Sequence, residues 1–157
     1  MARPQKQTVD YFPHYANASN GKTLFILESK YGNDGYAIWF KLLEILCSSP
    51  GLVYSVRNPA NWEFLLAKTH TNEQTTAEIM NTLVELGAVN RELYEQKLIW
   101  VQNLVENTKD AFRGRLGALP QRPITNARNP LDEEFPQDKL SETKHSNARK
   151  RQKKGKE

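Results

Sequence analysis

Residues 58–87 read NPANWEFLLAKTHTNEQTTAEIMNTLVELG, and this stretch holds two helices and the turn between them. Asn58 before Pro59 sets a side-chain cap ahead of a proline at the first helical position. From Pro59 to Lys68 the apolar residues Trp62, Leu65 and Leu66 fall at helical spacing. His70-Thr71-Asn72 interrupts that pattern, and Thr71 with Gln74 has capping-box spacing. Glu73 to Leu86 restores it with Ile79, Met80 and Leu83, and Gly87 supplies the stop.

Upstream, Asn20 to Tyr31 predicts a first helix with Leu24, Leu27 and Tyr31 on one face, ended by Gly32. Asp34 is placed to cap a second helix, Gly35 to Ser48. Tyr36, Trp39, Phe40, Leu43, Leu46 and Cys47 line one side of it, and Ile38, Leu42 and Ile45 fill much of the rest. A helix apolar nearly all round is surrounded by other elements, which puts this one at the centre. Pro50-Gly51 ends it, and Leu52 to Val56 is β-prone. Downstream, Ala88-Val89 and Leu98 to Val101 are β-prone on either side of the polar stretch Asn90 to Lys97, the pattern of a hairpin. A last helix, Val101 to Phe112, carries Val101, Val105, Thr108 and Phe112 on one stripe. The order helix, helix, strand, helix, turn, helix, hairpin is that of a winged helix-turn-helix. The expected fold class is therefore α+β, mostly α, with residues 1–112 as a winged-helix domain preceded by an arm. In that arm Tyr11, Phe12 and Tyr15 either fold back on the domain or clasp a partner.

Charge divides the chain in the same place. Its 157 residues carry 22 Lys and Arg against 18 Asp and Glu, a formal net charge of +4. Residues 1–112 hold 10 basic and 12 acidic side chains, whereas residues 113–157 hold 12 and 6. The second part also has Pro120, Pro123, Pro130 and Pro136 and no apolar period, so it reads as a flexible, disordered basic tail. The single Cys47 excludes an internal disulfide framework, and three dispersed histidines offer no metal site. No nucleophile, base and stabiliser converge, and Gly32-Asn33-Asp34-Gly35 lacks the spacing and lysine of a phosphate loop. The expectation is a non-enzyme without cofactor, metal or small-molecule substrate. No run of apolar residues matches a signal or a membrane span, so the expected location is the cytoplasm.

The 73–86 helix would be the recognition helix, showing Gln74, Thr75, Glu78, Asn81, Thr82 and Glu85 outward. Gln and Asn suit adenine and Thr suits a thymine methyl, which makes Gln74, Thr75 and Asn81 candidate DNA contacts. Two glutamates and no cation on that face argue for a solvated or protein-contacting surface instead. Lys68, Arg91 and Lys97 form a thin basic fringe. The densest cationic feature is Arg149, Lys150, Arg151, Lys153, Lys154 and Lys156, which suits sequence-independent attachment to nucleic acid or simple solubilisation.

The runs Thr8-Val9-Asp10-Tyr11-Phe12-Pro13-His14 and Leu27 to Glu44, which contains KYGNDGYAIWFKLLE, add a resemblance. They look like the N-terminal domain of DnaD-like, phage-type replisome organisers and replication initiation proteins, over roughly residues 6–105. Tyr15 stands where such sequences commonly have Asp, and a basic tail stands where many have a second DNA-binding domain. The resemblance implies a winged-helix fold and a role in bacterial, phage or mobile-element DNA replication. Partners would then be DNA, held weakly or non-specifically through the tail, and another replication protein or a second copy. The alternative is a protein-interaction or oligomerisation module without direct DNA recognition.

Overall fold

The structure is a computed structural model in which residues 6–114 and 118–124 are described. Its longest element, α1 (Lys22–Cys47), is broken at Gly32, whose φ of 62° and ψ of −149° are open almost only to glycine. The two helices expected on either side of Gly32 thus meet at this kink. Beyond the kink Gly35 is buried tightly against the Leu27 carbonyl, and Ile38, Leu42 and Leu46 lie fully inside. This second half is the axis of the core, as its all-round apolar pattern requires. Leu43 and Met80 are in that core, with Trp39 and Trp62 packed half-buried against it.

A 3-10 turn, Pro50–Leu52, leads into β1 (Val53–Ser55), then α2 (Pro59–Thr69) and α3 (Glu73–Glu85). The Asn58 side chain accepts from the Ala60 N–H at 2.9 Å with Pro59 behind it, as read from the sequence. At α3 the cap is Asn72, accepting from the Thr75 N–H at 2.8 Å, and not Thr71. Thr71 is drawn away into a hydroxyl chain with Thr69 (2.9 Å) and the buried Thr76 (2.6 Å). His70 takes the left-handed conformation, φ 56°, that turns the chain between the helices.

The hairpin expected from Ala88-Val89 is absent. Gly87 (φ 74°) closes α3, and the Ala88 and Val89 N–H groups both donate back to the Leu83 carbonyl. Amides turned onto a helix end are not free for a strand ladder. Asn90 then caps α4 (Arg91–Glu95) through its side chain, so a helical turn occupies the expected wing. The strand that does form, β2 (Leu98–Trp100), pairs antiparallel with β1, with Tyr54 opposite Ile99. One bond flanks it on the α4 side, from the Asn90 N–H to the Trp100 carbonyl at 3.0 Å.

The last helix is two, α5 (Gln102–Asn107) and α6 (Lys109–Gly114). They part at Thr108, whose hydroxyl donates to the Leu104 carbonyl at 2.8 Å and the Val105 carbonyl at 3.1 Å. The expected stripe Val101, Val105, Thr108 and Phe112 is nonetheless buried. Residues 118–124, assigned to the tail by composition, return to the domain: Leu119 packs on the core and Arg122 pairs with Glu92. The fold is α+β, mostly helical, with a two-stranded antiparallel sheet. Among the described residues no helix is long and apolar enough to cross a membrane.

Candidate functional site

The exposed side of α3 carries Gln74, Glu78, Asn81 and Glu85. Gln74 donates to Glu78 at 3.1 Å, and Thr75 is half-buried. Thr82 is not on this side: it is buried, hydrogen-bonded to the Tyr31 hydroxyl at 3.1 Å and to the Glu78 carbonyl at 3.0 Å. With Thr82 gone inward and Glu73 at the first turn, the surface that remains is acidic.

The basic fringe is divided. Lys68 pairs with Glu44 at 3.7 Å, which lowers its availability to an outside anion. Arg91 is exposed at the start of α4. Lys97, with a φ of 61°, lies beside Arg57 at a hollow of about 480 Å³ that also holds Trp62, Tyr94, Glu73 and Glu95. Arg57 was not singled out in the sequence; its Nε donates to the Gln96 carbonyl at 3.0 Å, a contact made across the chain that no spacing reveals. Arg149, Lys150, Arg151, Lys153, Lys154 and Lys156 lie outside the described residues.

The N-terminal arm folds back on its own domain. The Val9 N–H donates to the Cys47 carbonyl and the Gly51 N–H to the Gln7 carbonyl, each at 3.0 Å. Phe12 stacks on Phe40 at 6.4 Å between centroids, and His14 lies parallel on the same ring at 4.1 Å. The His14 Nε2 and the Tyr36 hydroxyl are 2.7 Å apart. Tyr11 and Tyr15 do not join this stack and are 77% and 56% exposed. Between the arm, α1 and α5 runs a groove of about 340 Å³ whose walls include Tyr15, Lys22, Trp39, Asn103, Leu104 and Asn107. Of these, the sequence marked only Tyr15 as a contact. Trp39 was read as core, and it does pack half-buried against the core while also lining this groove.

The buried titratable groups are structural. Burial, and next the charge of Glu44, push the Cys47 thiol up to about 12, so it is not a thiolate nucleophile at neutral pH. Burial also raises Tyr54 to about 12, and its hydroxyl donates to the Asn61 carbonyl at 2.7 Å. Among the described residues no three His, Cys, Asp or Glu side chains come together as a metal site.

Neither a curated protein nor a solved structure matches this chain. The family model described as "Lin1244/Lin1753-like, N-terminal" matches residues 11–104, from the exposed aromatics of the arm to the first turn of α5. That match takes in the kinked α1, the α2–α3 pair and both strands, more than half of the sequence. The chain therefore belongs to the Lin1244/Lin1753-like N-terminal family.

Proposed function

We propose that this chain is a non-enzymatic DNA-binding and adaptor protein of bacterial, phage or mobile-element DNA replication, working in the cytoplasm on a winged-helix scaffold. The observation that supports the reading is the α2–turn–α3 pair packed on α1 and followed by β2, which pairs antiparallel with β1. The Asn90 N–H bond to Trp100 stands where a third strand would join. The replication role rests on the likeness of the 8–14 and 27–44 runs to replisome organisers. Because the exposed side of α3 is acidic, attachment to DNA falls to the basic tail, and the domain surface engages another replication protein or a second copy.

The test is a salt series on the full chain with duplex and single-stranded DNA. A variant with Gln at Arg149, Lys150, Arg151, Lys153, Lys154 and Lys156 serves as the comparison. Six engaged cations give a log–log salt slope of about −5 on duplex, which the variant loses. If neither protein binds DNA at low salt, the reading is overturned. The acidic α3 surface then favours a protein-interaction or oligomerisation module, and light scattering over a concentration range would report its self-association.

A further inference from the structure

The groove between the arm, α1 and α5 differs in chemistry from the hollow at Arg57 and Lys97. None of its walls is a carboxylate, whereas the hollow at Arg57 and Lys97 also carries Glu73 and Glu95. Its donors are unengaged: among the described residues the Lys22 ammonium, the Trp39 indole N–H and the Asn103 and Asn107 amides have no hydrogen-bond partner. Among the described residues two of its rings, the exposed Tyr15 and the half-buried Trp39, are not stacked on another ring. Phe40, by contrast, is already taken by Phe12 and His14. Tyr15 is more than half exposed, and Leu104 supplies an apolar floor.

An exposed tyrosine and the accessible part of a tryptophan next to a cation and amide donors, with no carboxylate in the walls to repel a phosphate, suit an unstacked nucleotide. The π-face of a base finds a platform whatever its identity, and a lysine neutralises the phosphate beside it. A duplex does not present its base faces, so this arrangement discriminates for single strands. At about 340 Å³ the groove is of small-ligand size. We infer that the groove is a single-strand nucleic-acid site, taking an unpaired base against Tyr15 and Trp39 with the neighbouring phosphate at Lys22. The inference rests on the nucleic-acid reading above and moves specific contact within the domain from α3 to the arm.

The experiment uses the full chain with the six tail cations replaced by Gln, so that tail binding does not mask the groove. Affinity for an oligo-dT of about 12 nucleotides and for a duplex of equal length is read by fluorescence anisotropy. The tail-neutralised chain is expected to bind the single strand in preference to the duplex. On that background Tyr15→Ala weakens binding about fivefold or more, and Tyr15→Phe restores it. Lys22→Gln weakens binding and reduces the salt slope by about 0.7. Tyr15 is exposed, so circular dichroism of its variants should match the parent.

Three results overturn the inference alone. In one, the intact chain binds oligo-dT and the tail-neutralised chain does not, which leaves the replication reading standing. In another, Tyr15→Ala binds as tightly as its parent. In the third, a polyproline peptide changes the tryptophan fluorescence in a Tyr15-dependent way and oligo-dT does not, which gives the groove to a peptide. Failure of the intact chain itself to bind any nucleic acid overturns both readings together.

Discussion

Two glycines set the course of α1. Gly32 holds a backbone conformation with positive φ, and three residues later Gly35 brings the second half of the helix against the first. A β-carbon at Gly35 would lie 2.5 Å from the Leu27 carbonyl oxygen, a contact that backbone atoms cannot relieve without moving the helix. Gly35→Ala is expected to destabilise the protein by about 1–3 kcal/mol, seen as a lower urea midpoint at unchanged m-value. Gly32→Ala meets open space, so its cost is the backbone strain of a non-glycine residue at φ 62° and ψ −149°, about 1–3 kcal/mol. Gly32 was legible in the sequence as a helix stop. Gly35 was not, because its reason is a carbonyl eight positions earlier that returns to it only after the kink.

Asparagine does the capping in this fold. Asn58, Asn72 and Asn90 each accept a hydrogen bond from a first-turn N–H of α2, α3 and α4. Replacing Asn72 with Ala is expected to cost about 1 kcal/mol, and Asn72→Asp to cost far less, by the same urea midpoint. The Asn58-Pro59 start could be read directly, since cap and proline are adjacent. The α3 start at Glu73 was legible but its cap was not, because Thr71 has the right spacing yet its hydroxyl is committed to Thr69 and Thr76. The wing was misread for a related reason. Val89 favours a strand by side chain, but its amide and that of Ala88 are already spent on the end of α3. Side-chain propensity says nothing of where a backbone donor points, and the α4 cap at Asn90 shows up only once the chain is known to turn there.

At the scale of the whole molecule, the core reached by the second half of α1 was legible, since Leu42, Leu43, Leu46 and Met80 follow from periodicity alone. The groove was not, because it joins an arm, a helix start and α5 from distant parts of the chain. The core also fixes a pH response. Cys47 is shifted from 9.0 to about 12 and Tyr54 from 10.0 to about 12, both upward through burial. Between pH 9 and 12 the unfolded chain therefore holds fewer of these protons than the folded one, and stability falls as pH rises. Well below pH 9 both groups are protonated in either state and contribute no slope. Thermal midpoints are expected to decline progressively above about pH 9, with the Cys47→Ala protein declining less steeply from pH 9 to 10.

The pairing of Tyr54 with Ile99 closes a loop that contains the whole of α2 and α3. A ribosome must therefore release Trp100 before β1 acquires its neighbour, and until then the nascent polypeptide presents the hydrogen-bonding edge of β1 unpaired. A premature stop codon ahead of Leu98 yields not a shorter working domain but a sticky fragment, fit for a chaperone or a protease.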